Sequence, residues 1–358
     1  MAQLTAYEQY LLELVNRARS NPLAEASLFG IGLNDGLSAN TISESAKQPL
    51  AFNFLLIDAA RFHSQWMLDR DIFSHTGIDG SSPGDRMKDA GYNFTGGWTW
   101  SENISYWGTT GILNPNLAVD KNHEGLFKSS GHRRNILNED FREVGFATIT
   151  GDFEGYNVQM VTENFAKSGS DVFLTGVAYD DSILDDDFYT IGEGLGEIEV
   201  TATRQSDNSS FTTTTMAAGG YQIALDPGTY QVSFAKNGQT IRDTSQIVIG
   251  DRNVKLDLNI EYLNTTQHIG EIGRFSSLNH LEQTIQFNNT YTNPVVFALP
   301  LSYNGGDPAI GRITNIQSNS FSVYVQEPEY LDKRHNKESF SYIVLEAGTW
   351  QLADGTSL

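Results

Sequence analysis

Near residue 168 the hydrophobic spacing of this chain changes period, so no single fold type spans it. Before that point apolar residues recur every three or four positions, the repeat of a helix with one buried face. After it, short runs alternate apolar and polar residues, the repeat of a half-buried strand. Leu11, Leu14, Val15 and Ala18 predict a helix over 5–20, with Thr5 as its N-cap, Glu8 three residues on, and Asn21-Pro22 at its end. A second helix is expected over 54–71, with Leu55, Ala59, Phe62, Trp66 and Met67 on one face, and others over 83–90 and 116–127. Residues 30–48 and 77–84 read as loops. Strands over 144–149 and 157–165, around a turn at 151–155, close this half of the chain.

Lys167-Ser168-Gly169-Ser170 reads as a short linker. Beyond it, Ile198–Ala202, Phe211–Thr215, Tyr221–Leu225, Tyr230–Phe234 and Ser245–Ile249 are strand-like, with turn signals at Asp226-Pro227-Gly228 and Lys236-Asn237-Gly238. Strands at a spacing of about ten residues indicate a small β-sandwich. Thr284–Phe287, Val295–Ala298, Phe321–Val325 and Tyr342–Leu345 alternate in the same way and predict another. The expected fold is therefore α+β over 1–168, followed by two all-β sandwich domains, 169–260 and 261–358.

The chain carries 23 basic and 44 acidic residues, a formal net charge of −21. Such a balance repels phosphate backbones, which argues against nucleic acid and anionic membrane surfaces as partners. It suits a secreted protein, one that attracts cations, or one from a saline habitat. There is no cysteine, and secreted plant and animal domains usually carry disulfides, so a bacterial origin is expected. No run of 18 apolar residues predicts a membrane span. Met1-Ala2-Gln3-Leu4 lacks the basic and apolar regions of a leader, and Asp354–Leu358 closes no element. The expectation is a fragment, its leader removed or its export directed by a calcium-dependent route with a signal beyond Leu358.

Three residues of the first half carry the chemistry of interest: His75 in Phe73-Ser74-His75, Glu102 in Ser101-Glu102-Asn103-Ile104, and His132 in Gly131-His132-Arg133-Arg134-Asn135-Ile136-Leu137. Imidazoles and carboxylates bind zinc or exchange protons near neutral pH. These three are so far apart in sequence that only the fold could assemble them. Leu14-Val15-Asn16-Arg17-Ala18-Arg19, Gly80-Ser81-Ser82-Pro83, Arg86, Gly91-Tyr92 and Val144-Gly145-Phe146 stand around them in an order that resembles the bacterial branch of the CAP superfamily, the SCP-like extracellular and pathogenesis-related group. The resemblance covers about 160 residues. It implies an α-β-α sandwich, an extracellular or cell-surface protein, and a cleft whose family positions fall on His75, Glu102 and His132. The family's helix tryptophan falls on Leu126, and the glutamate one turn later falls on Ser129. Glu124 is the substitute if its helical face permits, and His63 is expected near the cleft rim. Three ligands would make a weak, open Zn²⁺ site with water completing the shell. His123 is expected to be solvated, Arg133 and Arg134 to pair with nearby carboxylates, and Trp66, Trp98, Trp100 and Trp107 to form core or cleft wall.

Asp180, Asp181, Asp185, Asp186, Asp187 and Glu193 concentrate carboxylates at the start of the second unit, a density that suits Ca²⁺ as well as a solvated loop. With Gly176–Asp181, Gly192-Glu193-Gly194, Gly219-Gly220-Tyr221 and Pro227-Gly228-Thr229-Tyr230, this unit resembles the prealbumin-like sandwiches (Cna-B or carboxypeptidase-regulatory-like) of bacterial surface proteins. Tyr291–Phe297, Arg312-Ile313 and Leu345–Trp350 give the last unit a loose resemblance to H-type lectins.

These readings favour an extracellular binding or adhesion protein whose partner is a lipid, a glycan, a peptide or another surface protein. A structural subunit of a self-assembling array with a vestigial cleft is one alternative, and a metal-dependent hydrolase is another. No HExxH and no nucleophile elbow support the hydrolase, so enzyme activity is the less favoured class.

Overall fold

A computed structural model describes residues 3–260, 269–298 and 300–348. Thr349, Trp350, the chain end after them, and residues 261–268 around the expected start of the last unit lie outside the described residues. The chain divides into two compact units, Met1–Asn264 and Thr265–Leu358. The helical half and the first β module, read from sequence on either side of a linker, thus pack as one body.

Helix α1 (Ala6–Ser20) starts on Thr5 with the capping box anticipated from Glu8. Asn21 ends α1 and at once caps a second helix, α2 (Pro22–Leu28), in which Pro22 occupies the first turn, so the chain turns a corner rather than leaving helix. Strand β1 (Ala51–Phe52) leads into α3 (Phe54–Arg70), and α4 (Pro83–Asp89) is capped by Ser82. Strand β2 (Thr99–Thr109), helices α5 (Pro115–Lys128) and α6 (Ser130–Ile136), and strands β3 (Glu143–Phe153) and β4 (Tyr156–Lys167) complete this half. β2, α2 and α6 were not legible as periodic segments.

The sheet runs β1-β3-β4-β2, with β1 parallel to β3 and the other pairs antiparallel, which leaves β2 at an edge. Alternate residues of β4 face opposite layers. Val161 and Phe165 join α1, α5 and α6 in the main core, whereas Val158, Met160 and Ala166 pack toward α3 and α4. This is the three-layer α-β-α sandwich. The buried face of α3 is Leu56, Ile57, Ala59, Ala60, His63, Ser64, Met67 and Leu68. Of the face expected from sequence, Ala59 and Met67 are buried and Trp66 packs against the core, whereas Leu55 and Phe62 are exposed. Polar His63 and Ser64 on the inward face, bonded to Ser74 and Thr162, disguised the true stripe.

The first β module pairs β6 (Glu199–Arg204), β7 (Ser210–Thr214), β9 (Gly228–Lys236) and β10 (Gln239–Ile249) in one sheet. The other sheet is β5 (Phe173–Tyr179) with β8 (Gly220–Ala224), β11 (Val254–Lys255) and β12 (Leu258–Asn259). Val200, Tyr221, Val232 and Phe234 fill the core between them. The second unit has two three-stranded sheets around Phe321, Val323, Phe340 and Val344. One is β13 (Gly270–Leu278), β18 (Glu338–Glu346) and β15 (Pro294–Ala298); the other is β14 (Gln283–Gln286), β17 (Ser320–Gln326) and β16 (Ile310–Gln317).

Candidate functional site

The site forms around the edge strand β2, where the pleat sends successive residues to opposite layers. Glu102 faces the α3 and α4 side, and Asn103 faces α6 and the main core. The Glu102 carboxylate is buried. Its Oε2 accepts from Arg86 Nη2 at 2.6 Å, and its Oε1 lies 2.9 Å from His75 Nδ1. A carboxylate only accepts, so the proton between them belongs to His75 Nδ1. In the neutral ring this leaves the Nε2 lone pair available on a side chain that is 51% exposed. Arg86 also donates to the carbonyls of His75 and Ser81, so one guanidinium fixes both the carboxylate and the loop that carries His75. Glu102 thus acts as an orienting carboxylate behind an imidazole, a recurrent arrangement at metal sites.

His63 stands behind this pair. It is fully buried, stacked on Trp66, and its Nε2 donates to Ser74 O at 2.9 Å, with Glu102 Oε1 at 3.9 Å. Burial drives its pKa down to about 4, so it packs as a neutral ring.

His132 approaches from α6. Burial and the nearby His75 both lower its pKa, which keeps it neutral at pH 7 and a competent nitrogen donor. Arg133 positions this helix. It is fully buried and donates to the carbonyls of Leu33, Phe127, Lys128 and Asp35. The carboxylate partner expected for it is replaced by these carbonyls, which a buried five-donor fork satisfies. Below His132, Asn103 Nδ2 donates to the His132 carbonyl and to Glu163 Oε2, and Asn135 Nδ2 donates to Asn103 Oδ1. Glu163 is fully buried, and burial raises its pKa to about 8, so it holds a proton beneath the site at neutral pH.

The remaining sequence candidates go elsewhere. Glu124 binds Lys121 and Lys128 of its own helix, and these two cations hold its pKa down near 2. Ser129 occupies the N-cap of α6 without a side-chain capping bond. His123 is buried rather than solvated. Its Nε2 meets Glu25 Oε1 at 2.9 Å, and Glu25 also takes a two-pronged bond from Arg17, so the helix face carrying His123 points into the α1–α2 corner. In the acidic loop, buried Asp181 accepts backbone N–H groups of Asp186 and Asp187, and buried Glu193 accepts those of Ile183, Leu184 and Thr190. Those two carboxylates close the loop on its own amides. Among the described residues no set of three or more His, Cys, Asp or Glu side chains is placed to hold a metal ion. His75 and His132 therefore offer two nitrogens, with Glu102 supporting one of them.

Residues 6–167 thus form a three-layer α-β-α sandwich with Glu102 and its His75 partner at the edge strand of the sheet. Residues 12–165 match the CAP (cysteine-rich secretory protein) family and residues 189–261 match the carboxypeptidase regulatory-like domain, so the first half is a CAP domain and a prealbumin-like module follows it. An uncharacterized protein of Bacillus subtilis, YkwD, is 30% identical over 148 residues, 41% of this chain and 44% of that protein. An extracellular SCP-domain protein from Bacillus anthracis is similar at 22% identity with a TM-score of 0.30, over 47% of this chain and 45% of that one. An outer surface protein of Borrelia burgdorferi is similar at 16% identity with a TM-score of 0.27, over 34% of this chain and 78% of that one. The chain thus spans less than half the length of the first two.

Proposed function

We propose that this chain is an extracellular binding protein in which the CAP cleft holds a divalent cation between His75 and His132. The observation that carries the reading is the Arg86–Glu102–His75 relay. It fixes the ring and the tautomer of a half-exposed imidazole, an arrangement that a purely structural histidine does not need. Bound zinc would supply a Lewis-acidic anchor for an oxygen or nitrogen group of an extracellular ligand.

Calorimetric titration of Zn²⁺ into the metal-stripped protein tests this. Micromolar binding should weaken at least tenfold in His75→Ala/His132→Ala and several-fold in Glu102→Gln, which keeps the shape but removes the orienting charge. Equal binding by all three proteins refutes the assignment.

A further inference from the structure

The cavity of about 660 Å³ in the CAP domain does not contain His75, Glu102 or His132. It opens beside them, between α3, α4 and the 3₁₀ turn at 78–80, and shares Arg86 with them as a wall. Its size falls within the range of small-ligand pockets. Two large apolar side chains line it and remain in solvent, Phe62 at 54% exposure and Ile78 at 41%. Together they give the cavity an apolar floor open to solvent.

The charged groups of the lining are four carboxylates, Asp58, Asp79, Asp85 and Asp89, and one cation, Arg86. Asp58, Asp79 and Asp89 make no hydrogen bond or ion pair among the described residues. Arg86 is the cationic group in the wall, and its charge is already balanced by Glu102. The cavity therefore presents unpaired carboxylates around an apolar floor, on a chain of net charge −21. Such a field draws cations in and keeps anions out. Beside the cavity, Arg86 Nε and Ser81 Oγ are buried without a hydrogen-bond partner among the described residues. Next to the cavity, β2 is a sheet edge, and beyond its pairing with β4 no other backbone bonds to it among the described residues. An open strand edge pairs with extended polypeptide.

We infer that this cavity binds a lysine or arginine side chain of an extracellular polypeptide, with the alkyl stem on Phe62 and Ile78, the cationic head among Asp58, Asp79 and Asp89, and a peptide carbonyl toward Arg86. This site works whether or not the cleft holds a metal.

The test is an NMR or calorimetric titration of the full chain with three small probes. Nα-acetyl-arginine amide carries charge and peptide groups, Nα-acetyl-citrulline amide keeps the shape without the charge, and n-butylguanidine keeps the charge without the peptide groups. The arginine amide should bind at least tenfold tighter than the citrulline amide and several-fold tighter than butylguanidine. Asp79→Asn/Asp89→Asn, both at exposed positions, should abolish the preference for charge. The same variant should leave the zinc titration unchanged, and His75→Ala/His132→Ala should leave arginine binding unchanged, so the pocket and the cleft succeed or fail separately. Equal binding of the arginine and citrulline amides, no binding of either, or a preference that survives in Asp79→Asn/Asp89→Asn overturns the inference. Butylguanidine binding as tightly as the arginine amide overturns the polypeptide as occupant.

Discussion

Glu163 shows how a single buried group shapes the behaviour of the site. It lies within a strand whose neighbours on both faces are buried, and among the described residues its carboxyl group takes one hydrogen bond, from Asn103, the residue that also holds the His132 carbonyl. Its pKa, raised by burial to about 8, lies well above the ordinary value of 4.5. Between those values the folded state keeps a proton that the unfolded chain has lost. Stability is therefore highest below the unfolded pKa and falls as pH rises through the folded one. Glu163→Gln should remove this alkaline loss. Urea denaturation at pH 5 and pH 8 should show the variant gaining about 1 kcal/mol or more relative to the parent at the higher pH. A constant difference at both pH values would mean that Glu163 is ionised in the folded protein. His63 gives the opposite slope, since its pKa, lowered to about 4, makes stability fall as pH drops below 6.5. His75, Glu102 and His132 were legible because a motif surrounds each. Arg86 stood in the same motif without a role until the fold set its guanidinium between Glu102 and the His75 carbonyl. Glu163 had only one signal, an acid at an inward position of an apolar strand.

At the level of elements, the cleft depends on how closely α3 lies on the sheet. Gly145 in β3 sets that distance: a Cβ built there would stand 2.1 Å from the carbonyl carbon of Leu56 and 2.2 Å from Ile57 nitrogen. The first turn of α3 is pressed on the strand at that point, and Asn164 Nδ2 holds the Leu56 carbonyl from the neighbouring strand. The glycine of Val144-Gly145-Phe146 is thus explained by close approach and not by backbone conformation. Gly145→Ala must push the helix outward or bend the strand, and both act on backbone, so about 3 kcal/mol of stability should be lost. Because α3 also carries Phe62 and His63, the same variant should weaken arginine-amide binding. An alanine variant as stable as the parent by urea midpoint would show that α3 moves freely on the sheet. Recurring or continuous apolar residues revealed α1, α3, α5, β3 and β4, and Ser82-Pro83 marked the start of α4. These signals missed α2 and α6, seven residues each, and β2, whose inward Glu102, Asn103 and Ser105 are polar and hydrogen-bonded. Functional segments break the pattern that makes ordinary segments readable.

On the scale of the whole first unit, the question is why a sequence that changes texture at residue 168 folds as one body. The answer lies in a few buried polar groups at the junction, which no periodicity reports. Asn253, just before β11, donates its N–H to Gln48 Oε1 and its amide to the carbonyls of Pro49 and Arg142, while its Oδ1 accepts from Phe173 N. Lys255 bridges Glu13 of α1 and Asp257, which in turn accepts from Val177 N. Burial alone would lower the Lys255 pKa, but Glu13 and Asp257 more than reverse that, so the lysine stays charged. Apolar contact adds to these bonds, with Phe188 packed edge-on to Tyr10 and beneath Arg17. Removing Lys255 leaves Glu13 buried with Gln9 as its remaining partner, and an uncompensated buried carboxylate is costly. Asn253→Ala/Lys255→Met should therefore destabilise residues 1–264 by about 4 kcal/mol or more, drawn from the junction and not from either core. Scanning calorimetry reads the distinction. The parent fragment 1–264 should melt in one transition, with calorimetric and van't Hoff enthalpies equal. The double variant should melt in two, the CAP domain and the β module separating. A single lowered transition in the variant would mean that the apolar contact around Phe188 is enough to couple the two modules, and that the polar junction adds stability without adding cooperativity.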